Sequence, residues 1–306
     1  MSRLDKVILG FNHMFLYPES MEDVNAHTET LRRMAANPLV DTMDCWVWAP
    51  HAKEEISILR NSGKRIVYTS GDRLGDAPIF PASPDPKERA YAMYMMQKET
   101  DFALECGARK FIFGSGRDIP EDREEAIKRY ADFLMEWAEK VPKELTLALE
   151  PIDRDVHKFF LLGTLEDSAR CMQMVRDAGF DNVGILLDMG HIPLLHETME
   201  GALNKVAPLM KHIHLASCII KNKNNPLFGD RHVCWGGEDS EYDENDGVRF
   251  LGLLKESGYL SRGYDQTISF EMRPLTGMTA EETISYLDSW FWNVMNDLAK
   301  TPEKEI

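Results

Sequence analysis

The fold class expected from the sequence is a (β/α)8 TIM barrel, a single domain spanning residues 1–306. Three observations carry that expectation. Short apolar runs rich in β-branched and aromatic residues recur eight times, helix-like segments alternate with them, and the length suits one such barrel, typically about 250 residues.

The eight runs are VILGF (7–11), MDCWVW (43–48), RIVYT (65–69), KFIFG (110–114), LTLALE (145–150), VGILLD (183–188), HIHLA (212–216) and TISFE (267–271). Between them, residues 88–107, 123–141 and 164–180 repeat apolar positions at three- and four-residue spacing, the period of an amphipathic helix. Gly107 and Gly179 follow two of these segments as helix stops. An open doubly wound sheet is the rival, but no G-x-G-x-x-G follows the first run, and Gly114-Ser115-Gly116 is too short to cradle a pyrophosphate. The polar stretch 221–247 is too long for an ordinary strand-to-helix connection and carries aromatics and histidine among its charges, so it is expected to be a lid over the site.

Lys and Arg number 35 against 51 Asp and Glu, and the formal charge of −16 argues against a nucleic-acid partner. The five cysteines are odd in number and lack metal-finger spacing, which reads as reduced thiols in a cytoplasmic protein. No run of about 18 apolar residues indicates a membrane span.

The last four runs each end in, or carry near their end, a metal-ligating residue: Glu150, Asp188, His214 and Glu271. Taken singly, Asp188 reads as a helix cap and His214 as a core histidine. In a barrel, however, neighbouring strand ends meet at the C-terminal rim, where three carboxylates need a cation to neutralise them. One divalent ion is therefore expected. Oxygen-rich ligation with one imidazole favours Mn2+, with Mg2+, Co2+ or Zn2+ as alternatives. His191, three residues after Asp188, and Asp230, His232 and Lys221 on the long loop are expected to bind substrate. Trp46, Trp48 and Trp235 are candidates for an apolar wall, with core packing as the other reading.

Five motifs, LALEP (147–151), LLDMGH (186–191), HIHLAS (212–217), GDRHVCWG (229–236) and ISFEMRP (268–274), give the chain a resemblance to the sugar phosphate isomerase/epimerase superfamily, the xylose-isomerase-like TIM barrels. In the ketose 3-epimerase branch the corresponding Glu, Asp, His and Glu bind Mn2+ or Co2+, and the two glutamates exchange a proton with the substrate. The resemblance thus implies Glu150 and Glu271 as catalytic acid/base residues, Asp188 and His214 as ligands, and His191 as a substrate-binding residue. Where that branch carries an arginine after the strand-seven histidine, this chain has Ser217. The stretches 191–198, 212–222 and 229–236 look closer to the larger subunit of C-glycoside deglycosidases, which act on 3-keto-glycosides and pair with a small subunit. The implied activity is a metal-dependent sugar isomerase or epimerase working through an enediolate. A lyase acting on 3-keto-glycosides and a non-catalytic sugar- or partner-binding barrel are the alternatives. The implied partners are a small sugar or glycoside, together with a homo-oligomer or a hetero-complex containing a small subunit.

Overall fold

Buried apolar residues on alternating faces shape the strands. In the computed structural model, which describes residues 7–70, 79–261 and 266–300, eight strands pair in parallel and close on themselves in the order β1 to β8. They are β1 (Ile8–Asn12), β2 (Thr42–Cys45), β3 (Arg65–Thr69), β4 (Lys110–Phe113), β5 (Thr146–Leu149), β6 (Val183–Asp188), β7 (Met210–Leu215) and β8 (Thr267–Phe270). Pairing of Ile8 with Thr267 and of Phe11 with Phe270 closes the ring. The predicted TIM barrel is present, apart from the predicted chain ends 1–6 and 301–306, which lie outside the described residues.

The strand edges moved where a side chain had a better place outside the sheet. The second run was expected to continue to Trp48, yet β2 ends at Cys45. Trp46 and Trp48 instead gather round His27, with ring centroids 4.9 and 5.7 Å from it.

Helices form the outer ring: α1 (His13–Leu16), α2 (Val24–Ala36), α3 (Ala52–Asn61), α4 (Pro86–Cys106), α5 (Arg123–Lys140), α6 (Leu165–Asp177), α7 (Met199–Val206), α8 (Glu244–Glu256) and α9 (Ala280–Lys300). α4 stops at Gly107, whose φ of +77° a residue with a Cβ adopts only at a cost. Outward-facing strand residues such as Phe111, Phe113 and Leu149 pack under this ring in one continuous core. Trp137 of α5 meets both phenylalanines edge-on and donates its indole N–H to Thr100 of α4 at 3.0 Å. No helix among the described residues is long and apolar enough to cross a membrane.

The barrel bore is divided. On the β3–β6 side it holds a separate apolar cluster of Val67, Ile112, Ala148 and Leu186. On the β7, β8, β1 and β2 side the buried inward residues are polar: His212, His214, Thr267, Ser269, Asn12, Thr42 and Asp44. Gly10 makes room for this half, because a Cβ there would lie 2.4 Å from Ser269 Oγ.

Candidate metal centre

The four strand-end residues come together at the C-terminal rim. Glu150, Asp188, His214 and Glu271 are all buried, and one potential ligand atom from each lies within 4.8 Å of the others. Those atoms are unsatisfied as well as close. Glu150 Oε1, Asp188 Oδ2, His214 Nδ1 and Glu271 Oε2 have no hydrogen-bond partner, although His214 Nδ1 lies 2.5 Å from Glu271 Oε2. Buried polar atoms are ordinarily paired. One orphan from each member of a single constellation is the arrangement a divalent cation satisfies.

The remaining polar atoms of the four residues are engaged in ways that aim the orphans. Asp188 does cap the turn that follows β6, through Oδ1 to the Gly190 N–H at 2.5 Å, which leaves Oδ2 for the site. Glu271 Oε1 takes a 2.6 Å hydrogen bond from Asn12. His214 presents Nε2 to Asp44 Oδ2 at 2.9 Å. Sequence reasoning missed both Asn12 and Asp44. The available signals were an asparagine closing the first run and an acid inside the apolar run of β2, alternating with Met43 and Cys45.

Asp230 and His232 reach the site from the long loop. Asp230 Oδ1 bridges His191 Nε2 at 3.1 Å and His232 Nε2 at 2.8 Å. His232 Nδ1 also lies 3.1 Å from the Glu271 carbonyl oxygen. His232 has φ +48°, a left-handed conformation costing a bulky residue about 1–3 kcal/mol, and such strain is retained mainly where function requires it. Asp188, His191 and His232 form a second group with metal-ligand spacing. Phe15, also missed from sequence, lies with its ring centroid 4.0 Å from that of His232. With Met14 and Ile152 it supplies the apolar side of the cleft whose polar side is lined by Glu150, His191, Asp230, His232 and Glu271.

Two expected substrate-binding residues are placed elsewhere. Lys221 is exposed and pairs with Glu241 at 2.5 Å, so its charge is spent within the loop. Trp48 packs against Trp46, with ring centroids 5.3 Å apart, and is not among the described residues lining the cleft. Trp235 is buried against Phe270 and Trp290 and donates to the Ala216 carbonyl, a core position. The loop is shorter than the stretch 221–247 expected to form a lid, because Asp243 starts α8 with a reciprocal capping box to Asp246.

Burial and mutual charge set the protonation of the cluster. Burial pushes the Glu271 carboxyl up to about 8, with His214 and His232 opposing and Glu150 adding to the rise. Asp188 is held below the usual carboxylate range because His191, His214 and His232 outweigh its burial. Burial alone would lower the imidazole of His232, but Glu271 and Asp230 carry it up to about 9. A cation arriving here would displace protons from this set.

Residues 13–290 match the family model described as the xylose isomerase-like TIM barrel. No curated protein matches the sequence. Among solved structures, the chain is similar to 3-keto-D-glucoside 4-epimerase from E. coli, at 15% identity and TM-score 0.65, over 94% of this chain and 100% of that one. It is also similar to D-psicose 3-epimerase from Clostridium cellulolyticum H10, solved with D-tagatose, at 16% identity and TM-score 0.61, over 97% and 100% of the two chains. A third likeness is a magnesium complex of a TIM barrel protein from Mycobacterium smegmatis, at 16% identity and TM-score 0.59, over 98% and 100%. At these identities the structures speak for the fold alone, whereas the family model spans most of the sequence. The chain belongs to the xylose isomerase-like TIM barrel family.

Proposed function

We propose that the protein is a divalent-metal-dependent sugar isomerase or epimerase that removes a proton next to a carbonyl. The observation that carries this reading is the set of four orphaned ligand atoms on Glu150, Asp188, His214 and Glu271. Three carboxylates and one imidazole suit Mn2+ best, with Mg2+, Co2+ or Zn2+ accommodated by the same donors. A bound divalent ion supplies Lewis-acid stabilisation of the negative charge that develops on the enediolate.

The chain's own residues move the proton. Glu271 and Glu150 are the two glutamates lining the cleft, and in this reading one takes the proton from carbon while the other returns one. Return at the same carbon on the opposite face gives an epimer, and return at the old carbonyl carbon gives an isomer. His191 and His232, fixed by their shared Asp230, line the cleft beside the two glutamates and shape the space for the substrate, while Phe15 covers the apolar edge of the ring and excludes water. Glu271→Gln is expected to keep the fold and to lose about 100-fold or more of solvent-deuterium incorporation into a ketose or 3-keto-glycoside. Wild-type exchange in that variant would sink the proposal.

A lyase acting on 3-keto-glycosides is the second reading, favoured by one residue. Ser217, where ketose epimerases carry an arginine, is buried and holds the lid through Ser240 Oγ at 2.8 Å and the Tyr242 N–H at 3.0 Å. That position thus offers no cation to a ketose. The same proton abstraction then ends in loss of the C1 substituent, which separates the readings by product. Sugar binding without exchange or elimination would instead favour a non-catalytic barrel.

A further inference from the structure

The polar half of the bore contains a line of hydrogen bonds running from the N-terminal end of the barrel to the metal centre. It starts at Lys110, the first residue of β4, whose buried ammonium donates to Thr267 Oγ1 at 2.7 Å and to the Lys211 carbonyl. Thr267, the first residue of β8, lies 2.6 Å from His212 Nδ1. His212 Nε2 is 2.8 Å from Asp44 Oδ2, the same oxygen that faces His214 Nε2 at 2.9 Å. Ser269 donates to the other carboxylate oxygen at 2.8 Å.

Donor and acceptor chemistry gives this line one polarity. An ammonium can only donate and a carboxylate can only accept. Lys110 therefore takes up a lone pair of Thr267, whose single hydroxyl proton turns to His212 Nδ1. With Nδ1 accepting, the His212 proton sits on Nε2 and points at Asp44. Asp44 likewise requires a proton on Nε2 of His214, and that leaves His214 Nδ1 as the nitrogen that faces Glu150, Asp188 and Glu271.

We propose that Asp44, oriented by Lys110, Thr267 and His212, is the positioning residue that selects the metal-ligating nitrogen of His214 and thereby sets the affinity of the centre. The inference rests on the metal reading above and extends it to residues outside the ligand set. Partners of this kind, which orient a ligating histidine, typically contribute 10- to 100-fold to metal affinity.

The test uses the full chain labelled with 15N-histidine and Zn2+ as a diamagnetic probe. Wild type is expected to bind Zn2+ and to show both His212 and His214 as Nε2–H tautomers in two-bond 15N–1H correlation spectra. Asp44→Asn is expected to keep its circular dichroism, to bind Zn2+ about 10- to 100-fold more weakly, and to lose the single His214 tautomer. Thr267→Val cuts the line at conserved volume without touching the carboxylate, and serves even if Asp44→Asn fails to fold. It is expected to mix the His212 tautomers and weaken Zn2+ binding several-fold, effects that simple packing of the bore would not produce. Wild-type affinity and unchanged tautomers in a folded variant would overturn the positioning role alone. A wild-type chain that binds no Zn2+ would overturn the metal reading before any variant is compared.

Discussion

Asn12 serves backbone and site with one side chain. Its Oδ1 accepts from the backbone N–H groups of Met14 and Phe15, which fixes the amide so that Nδ2 must face Glu271 Oε1. Glu271 Oε1 is thereby committed as an acceptor, and Oε2 is the oxygen left to hold a proton in the metal-free protein, where burial pushes this carboxyl up to about 8. Asn12→Ala is expected to retain metal while slowing deuterium exchange about tenfold, since it frees the carboxylate without removing it. It should also lose about 1 kcal/mol of stability with the cap of α1, checked by chemical denaturation. Unchanged exchange would show that Glu271 needs no such guide. Asn12 was overlooked in the sequence because an asparagine after a strand reads as a turn residue, although closure of the barrel brings β1 beside β8. The convergence of Glu150, Asp188, His214 and Glu271 was legible because each closes or nearly closes an apolar run, so the barrel rule alone predicts their meeting.

At the scale of elements, the loop between β7 and α8 carries two of the side chains that complete the cleft. Its acidic composition is compatible with disorder, yet the charges are consumed locally. Asp239 accepts from Asn222 and Asn225, Glu241 accepts from the backbone of Ile220 and Lys221, and Asp243 and Asp246 cap α8. Length and aromatic content thus indicated an ordered loop, whereas its C-terminal limit was misjudged because a capping box looks like one more pair of acids. Lys221 misled for a similar reason: a lysine beside a site motif says nothing of the glutamate twenty residues on that neutralises it. Ser217 is the tether of this loop. Ser217→Ala leaves the half-buried Tyr242 N–H without its acceptor, at a cost of about 1 kcal/mol to the loop. The expected result is faster proteolysis within 221–243 and a several-fold higher KM, with kcat little changed. Equal cleavage rates in variant and wild type would remove Ser217 as tether.

For the whole molecule, the closed barrel places polar chemistry on one half of its bore and apolar packing on the other, and stability inherits a pH dependence from the buried imidazoles. His13, at the start of α1, bonds Thr30 Oγ1 at 2.8 Å and has the His27 ring edge-on at 4.9 Å. Burial, assisted by His27, holds its imidazole well below the ordinary value. Because the unfolded chain then takes up the proton first, this contribution is intact above pH about 6.5 and is lost as the pH falls below it, by at most about 1.4 kcal/mol per pH unit. His13→Gln should therefore flatten the fall of denaturation midpoint between pH 6.5 and 5, and an unchanged slope would exclude His13 as its source. Neutralisation of the rim cluster by one divalent ion is read out by elemental analysis after Mn2+ loading and desalting, with Asp188→Ala alongside. About one ion per wild-type chain and almost none in the variant are expected. A well-folded wild type that retains no metal would contradict that neutralisation.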